Sequence, residues 1–182
     1  MLNFASLLWF DTYELASSLR TRMGQFSHEG EQRLIPIRGP RKGTTEDDGD
    51  FVFYASAVGK GKWPELTAFL NRLKRHGDAL GGLEFGCISI ALLMPGVATP
   101  WVRESGGYVE RHIRLHLALR TNPGAMMYAG IESMHMAEGW LNSVNVRTMC
   151  SAVNFGDSPR LHLMLDTRMK TAIPPEKEAE DA

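Results

Sequence analysis

The sequence predicts a mainly β protein in which short strands form a barrel or a two-sheet jelly roll, with N-terminal helices packed outside. From Leu83 onward the chain consists of short extended runs that are separated by turn signals such as Pro95-Gly96 and Gly156-Asp-Ser-Pro159. Before Leu83, apolar residues recur at helical spacing in two segments. Several short strands at regular spacing are typical of all-β sandwiches and barrels.

Two helices are predicted in the N-terminal part of the chain. Asp11 is placed to cap the first helix, and the residues expected on its buried face are Tyr13, Leu15, Leu19 and Met23. The second helix is predicted to begin at Pro64 and to end at Gly77. Its i, i+3, i+4, i+7 stripe consists of Leu66, Phe69, Leu70 and Leu73.

Two strands are predicted between the two helices, and seven more follow the second helix. The early strands are residues 34–38, where Pro36 favours a sheet edge, and residues 51–56. The later strands are residues 85–94, 99–103, 112–120, 125–130, 139–146, 151–155 and 160–166. Side chains alternate between the two faces of a strand, so Arg114 and His116 are expected to lie opposite the aliphatic residues of their strand. By the same rule, His162 is expected to lie opposite the leucines that flank it.

Length and composition limit the classes of function. The 182 residues predict one domain over residues 1–172, with a lead-in over 1–82, a β core over 83–166 and an acidic, disordered tail over 173–182. A net charge of -1 gives no reason to expect a nucleic-acid partner, and no apolar run is long enough to span a membrane. Cys87 and Cys150 lie far apart in sequence and do not indicate a disulfide framework. The cytoplasm is therefore the expected location.

Three motifs follow one another between His112 and Asp166. They read His112-Ile-Arg-Leu-His116-Leu-Ala-Leu-Arg-Thr-Asn-Pro, then His135-Met-Ala-Glu-Gly-Trp140, then Cys150-Ser-Ala-Val-Asn154-Phe-Gly-Asp-Ser-Pro-Arg160-Leu-His162-Leu-Met-Leu-Asp166. This order resembles the core of the aspartyl/asparaginyl and proline hydroxylases, which are Fe(II)- and 2-oxoglutarate-dependent oxygenases. The resemblance implies a double-stranded β-helix of the cupin-like, jelly-roll type. It also implies a dioxygenase that hydroxylates an amino acid, free, peptide-bound or carrier-bound, while 2-oxoglutarate is decarboxylated to succinate.

The resemblance further implies that His116 and Arg160 bind the carboxylates of 2-oxoglutarate. A guanidinium suits this role because it can hold a carboxylate with two parallel charge-assisted hydrogen bonds. His162 lies two residues after Arg160 on the same predicted strand, so we expect it to face the same cavity and to orient the bound acid.

The iron ligands that the resemblance implies are altered in this sequence. The family pattern has a histidine shortly before the strand that carries His116, whereas residues 102–108 contain no histidine and offer only Glu104 as an acid. The second histidine of the pattern is replaced by Cys150. The remaining weak candidates for metal ligands are Glu104, Cys150, His112 and His135.

Three interpretations of this altered centre stay open. In the first, a hydroxylase retains a metal through Glu104, Cys150 and a histidine. In the second, an iron-independent and non-oxidative enzyme uses Cys150 as nucleophile or acid/base, with Glu104 or a histidine as its partner. In the third, the protein binds a ligand without catalysis. A fourth view of Cys150 alone is that it is a small buried hydrophobe, as free cysteines most often are.

The expected substrate is a small carboxylate or an amino-acid-like molecule, possibly one that is carrier-bound. Trp101, Tyr108 and Arg114 are the residues expected to contact it.

Overall fold

A computed structural model describes residues 2–23, 32–54, 63–79 and 82–170, and for residues 20–23 and 32–33 only the backbone. The predicted tail at 173–182, the side chain of Met23 and the end of the predicted strand at Ala55 and Ser56 lie outside the described residues. No described helix is both long enough and apolar enough to cross a membrane.

The described ranges contain three helices and eleven strands. The helices are α1 (Tyr13–Met23), α2 (Pro64–Asp78) and the short α3 (Gly107–Arg111), and a 3-10 turn spans Glu46–Asp48. The first six strands are β1 (Phe4–Trp9), β2 (Gln32–Pro40), β3 (Phe51–Phe53), β4 (Leu83–Leu93), β5 (Val97–Ala98) and β6 (Ile113–Arg120). The others are β7 (Ala125–Ala129), β8 (Glu132–Met134), β9 (Trp140–Val144), β10 (Cys150–Asn154) and β11 (Arg160–Met169).

The strands form two antiparallel sheets. The larger sheet has the order β1-β9-β6-β11-β4-β2-β3, and the smaller has the order β5-β10-β7-β8. The lead-in thus contributes three strands to the larger sheet. This arrangement confirms the predicted mainly β, jelly-roll class.

Each face of the larger sheet supports a different core. The aliphatic residues of β6 and β11 pack with the helices in one cluster, which includes Leu117, Leu163, Leu19 and Phe69. The opposite face packs against the smaller sheet, and this second cluster includes Ala118, Met127, Cys150 and Ala152. The predicted alternation along β6 and β11 is therefore confirmed, and the helices lie outside the two-sheet core.

Both predicted helices are present, with local corrections. The Asp11 carboxylate accepts a hydrogen bond from the Tyr13 amide at 3.0 Å, as a capping residue does. Tyr13 itself is 73% exposed, so its assignment to the buried face was wrong. Helix α2 continues one residue past Gly77 because this glycine packs against Leu83, where an added Cβ would lie 2.3 Å from the Leu83 Cβ.

The predicted strand over residues 99–103 is wrong. Strand β5 ends at Ala98, and the next bridge to β10 is the isolated one between Val102 and Cys150. Between them the Thr99 amide donates to the Ala152 carbonyl, but the Ala152 amide donates to the Thr99 hydroxyl at 2.8 Å and not to its carbonyl, which interrupts the ladder. The five-residue helix α3 was not predicted, because it is too short to produce an apolar period.

Pro36 lies in a strand that is second from the sheet edge. Strand β3 pairs with Arg38–Pro40 of β2, and among the described residues the part of β2 around Pro36 has a ladder partner on the β4 side alone. Within the described strands, Pro36 therefore has the position that was predicted for it, at an open edge of the sheet.

The buried Asn154 side chain ties three turns together at the end of β10. Its Nδ2 donates to the carbonyls of Leu93 and Ser158, both at 2.9 Å, and its Oδ1 accepts from Asn122 Nδ2 at 2.9 Å. Gly156 has to be a glycine here, because a Cβ would lie 1.8 Å from the Asn122 Oδ1. These bonds fix the chain at the point where it enters β11 at Arg160.

Asn154→Ala is expected to lower the free energy of unfolding by about 3 kcal/mol, since it leaves buried polar partners without hydrogen bonds. Chemical denaturation followed by far-UV circular dichroism measures the change. The matched control is Asn71→Ala, at an exposed position of α2, which we expect to change the free energy by less than about 0.5 kcal/mol. Equal effects of the two substitutions would contradict the role of Asn154.

Candidate functional site

A cavity of about 260 Å³ lies between the two sheets. Strand β6 contributes Arg114 and His116 to the wall of this cavity, and β11 contributes Arg160. Strand β10 contributes Cys150 and the next two residues. These side chains meet because β6 and β11 are adjacent and their inward-facing residues alternate with the buried leucines. The volume is near the lower end of the range for ligand pockets and suits a small molecule.

Arg160 places a positive charge at this cavity without a carboxylate beside it. The residue is 4% exposed, and its polar partner in the described part of the chain is the ring of His162, with Nη2 donating to Nδ1 at 3.0 Å. None of the ion pairs formed by described residues includes Arg160. Burial lowers the pKa of Arg160 to about 10, so the guanidinium is still charged at neutral pH. A charge held in this way favours an anionic ligand.

His116 and His162 form a buried pair beside this guanidinium. Their rings meet edge to face with centroids 5.6 Å apart, and their Nδ1 atoms are separated by 3.4 Å. Neither Nε2 atom has a hydrogen-bond partner among the described residues. Burial, and then the charge of Arg160, holds the pKa of both rings well below the ordinary value of histidine. Both imidazoles are therefore neutral at pH 7.

Arg114, in contrast to Arg160, has its charge compensated. Asp166 accepts two hydrogen bonds from it, at 2.7 and 3.0 Å, and Glu104 accepts a third. Burial lowers the pKa of Arg114, but the bonds and charges of the two carboxylates outweigh burial and raise the pKa overall. The Tyr108 hydroxyl donates to Asp166 at 3.0 Å and fixes this carboxylate from the other side.

A second cavity of about 330 Å³ adjoins the first. Glu104, Arg114 and Met164 line both cavities and form part of their common wall. The second cavity is also bordered by Arg38, whose guanidinium donates to the carbonyls of β4, and by Cys87. Burial is the main cause that raises the pKa of Cys87 to about 11, so this thiol is protonated at neutral pH.

Cys150 lies on the wall of the first cavity with its thiol turned to the backbone. Its Sγ donates to the Asn145 carbonyl at 3.4 Å. Burial, and then the negative charge of Glu104, raises the pKa of the thiol above its ordinary value. The thiolate that nucleophilic catalysis requires is thus disfavoured here.

Of the weak metal candidates, Glu104 and Cys150 line the first cavity together, but the two histidines do not join them. His112 stacks on Tyr108 with ring centroids 4.0 Å apart, and it is absent from the walls of both cavities, as is His135. The His135 Nδ1 contacts the Ala125 carbonyl at 2.9 Å. In the parts of the chain that the structure covers, no three His, Cys, Asp or Glu side chains are grouped so that they could hold a metal ion. The described donor set does not fit an Fe(II) centre.

The structure brings some of the predicted site residues together and separates others. His116, Arg160 and His162 meet, and so do Arg114 and Glu104. Tyr108 is buried, and its hydroxyl is taken by Asp166. Trp101 is 52% exposed and packs against Tyr128, with ring centroids 5.9 Å apart.

Sequence reasoning missed the role of Asp166. This residue ends the recognised motif, but its function depends on its position directly across from Arg114 in the β6–β11 ladder. The sequence contains no signal for that register.

The two-sheet jelly roll defines the class of fold, and several solved structures of oxygenases share it. A 2OG-Fe(II) oxygenase-family oxidoreductase from Burkholderia pseudomallei superposes with a TM-score of 0.64 at 12% identity, over 91% of this chain and 84% of that one. The 2OG complex of the viral collagen prolyl hydroxylase from Paramecium Bursaria Chlorella virus-1 gives 0.60 at 7% identity, over 92% and 97% of the two chains. A Pseudomonas putida prolyl-4-hydroxylase gives 0.52 at 16% identity, over 93% and 94%. At these identities the likeness establishes the fold.

The family follows from the sequence itself. The profile of the aspartyl/asparaginyl beta-hydroxylase family matches residues 54–170, which is more than half of the chain. The chain belongs to this family of oxygenase enzymes, as the motifs between His112 and Asp166 predicted. No curated protein matches the sequence.

The state of Cys150 can be tested by alkylation. We expect native Cys150 to react with iodoacetamide at pH 7 much more slowly than in the urea-unfolded chain, and its rate to rise with pH, because burial keeps the thiol protonated. Mass spectrometry of the alkylated peptide at timed intervals measures both rates. Rapid modification of native Cys150 at pH 7 would contradict this account and would favour a nucleophilic thiol.

Proposed function

We propose that this protein binds 2-oxoglutarate, or a dicarboxylate of similar shape, in the cavity between the sheets. We further propose that it acts on an amino acid or an amino-acid-derived small molecule. The observation that carries the proposal is the buried guanidinium of Arg160, which has a neutral imidazole and no carboxylate beside it among the described residues.

A bound carboxylate would compensate the buried positive charge of Arg160. Taking a guanidinium out of water is unfavourable by several kcal/mol unless an opposite charge compensates it. A ligand carboxylate offers two oxygens to the guanidinium fork and supplies that charge. His116, on the wall of the same cavity, is the second residue proposed to contact the acid, and His162 orients the Arg160 side chain through their 3.0 Å hydrogen bond.

The second cavity is the proposed substrate site. It shares a wall with the proposed dicarboxylate site, so two molecules bound in the two cavities would lie next to each other. Of the two carboxylates bonded to Arg114, the Glu104 side chain is 36% exposed and that of Asp166 is 5% exposed, which makes Glu104 the carboxylate that a substrate reaches. Arg114 acts there by holding Glu104 in position. A carrier-bound substrate and a cytoplasmic location stay predictions from the sequence.

Family membership favours an oxygenase with an altered iron site as the first candidate for the reaction. An iron-independent enzyme is the second candidate, and the observation that favours it is the misfit between the described donor set and an Fe(II) centre. The raised pKa of Cys150 argues against this thiol as its nucleophile. A ligand-binding protein without catalysis is the third.

The three candidates differ in what purified protein does with 2-oxoglutarate. The oxygenase requires succinate to form when Fe(II) is supplied and not when it is withheld. The iron-independent enzyme requires turnover without metal, which Cys150→Ala would abolish if the thiol took part. The binding protein requires a saturable titration and no product under either condition.

Arg160→Gln is expected to weaken 2-oxoglutarate binding by about 100-fold or more, because it removes a charge-assisted pair of hydrogen bonds. Arg160→Lys keeps the charge but loses the fork, and we expect it to restore only part of the affinity. Isothermal titration calorimetry measures both dissociation constants.

The matched control is Arg120→Gln, at the exposed end of β6, which we expect to leave the dissociation constant unchanged. Thermal unfolding of each variant establishes that it is folded. Wild-type affinity in a folded Arg160→Gln variant would contradict the proposed binding site.

A further inference from the structure

The hydrogen bonds around His162 determine where the hydrogens of the histidine pair lie. Arg160 Nη2 donates to the His162 Nδ1, because a guanidinium nitrogen has no lone pair to offer. The His162 Nδ1 is therefore an acceptor. The His116 Nδ1 lies 3.4 Å from that same atom, and we assign a hydrogen to it, since otherwise two lone pairs would face each other.

This assignment leaves a basic nitrogen on a residue that lines the proposed carboxylate site. A neutral imidazole carries one hydrogen, so with Nδ1 protonated the His116 Nε2 has a free lone pair. That atom is buried and has no partner among the described residues, while the His116 ring lines the cavity that Arg160 also lines. A second proton on His116 would convert the lone pair into a donor next to the ligand.

Burial is the first cause that opposes this second proton in the absence of ligand, and positive charge is the second. After burial, the charged groups that lower the pKa of His116 are Arg160 on β11 and Arg114 on its own strand. For His162 they are Arg160, His116 and His135. In the ladders, His116 lies opposite Asn142 of β9 and His162 lies opposite Ala91 of β4, and both of these neighbours are uncharged. The carboxylates of Asp166 and Glu104 are bonded to Arg114. A ligand carboxylate against Arg160 would cancel the largest of these charges.

We infer that the cavity takes up a proton when it binds a carboxylate, and that the His116–His162 pair holds this proton. The proton comes from solvent and forms an N–H bond at the His116 Nε2, and no other bond changes. The protonated ring then donates both to His162 and towards the ligand. This inference rests on the proposed binding of a dicarboxylate to Arg160.

Proton uptake makes the affinity depend on pH in a defined direction. The carboxylates of 2-oxoglutarate are ionised throughout the neutral range, so the ligand itself contributes no titration there. Between the pKa of the pair in the free protein and its higher pKa in the complex, binding consumes up to one proton. The dissociation constant then rises with pH by up to about tenfold per pH unit.

Calorimetric titration of 2-oxoglutarate into the full chain tests this inference directly. Titrations at one pH in phosphate and in Tris, whose ionisation enthalpies differ, give the number of protons exchanged, and titrations across the neutral range give the slope of the dissociation constant. We expect a net uptake that approaches one proton per ligand, with an affinity that weakens as pH rises. Saturable binding with the same heat in both buffers and no pH dependence would overturn the inference and leave the proposed function intact. Absence of binding at any pH would overturn both.

The variant His116→Gln tests whether the histidine pair holds the proton. A glutamine amide can donate to a carboxylate without taking up a proton, so we expect binding to persist with the uptake lost and the pH slope flattened. The matched control is His76→Gln, at an exposed position of α2, which we expect to retain the wild-type uptake. Undiminished uptake in a folded His116→Gln variant would overturn the assignment.

Discussion

A guanidinium charge is held away from water at the start of β11, and none of the described groups beside it neutralises it. Its neighbour His162 is a neutral imidazole, which can accept a hydrogen bond but cannot compensate a charge. Much of the surrounding structure maintains this arrangement. The Asn154 bonds fix the turn that leads into Arg160, and the β6–β11 ladder sets His116 beside His162.

The contrast between two arginines gives the cavity its polarity. Arg114 and Arg160 belong to adjacent strands and line the same space, yet one is bonded to two carboxylates and the other to none in the described chain. Arg114 is fixed in the cavity wall, because its hydrogen-bond donors are already bonded to carboxylates. The Arg160 end is the region where an incoming anion gains the most, and the neutral histidine pair lies beside that end. The same charge therefore accounts for ligand choice and for the protonation state of its neighbours.

The sequence alone predicts the parts of this account that depend on periodicity. Alternation along β6 and β11 placed His116 and His162 opposite the leucines, and the motif around Arg160 identified the family. Features that depend on register or on local backbone chemistry were not accessible. The Asp166–Arg114 pairing requires the β6–β11 register, which two separate strands do not encode locally. The strand expected over residues 99–103 is wrong because the Thr99 hydroxyl takes the Ala152 amide, which interrupts the ladder between Ala98 and Val102.

Cys150 shows why a motif position does not carry a chemical role with it. The resemblance predicts that Cys150 replaces a family histidine, but its thiol is bonded to a backbone carbonyl and burial raises the pKa of the thiol. The candidate acid Glu104 is likewise bonded to Arg114. Neither fact could be read from spacing, because both depend on which groups the fold places within hydrogen-bond distance.

The central claim is that the charge of Arg160 is completed by a ligand carboxylate. A crystal structure of the full chain grown with 2-oxoglutarate tests it most directly. The account predicts electron density for the acid in the cavity between the sheets, with one carboxylate within hydrogen-bond distance of the Arg160 guanidinium. An empty cavity in which Arg160 pairs with a carboxylate of the protein itself would contradict it.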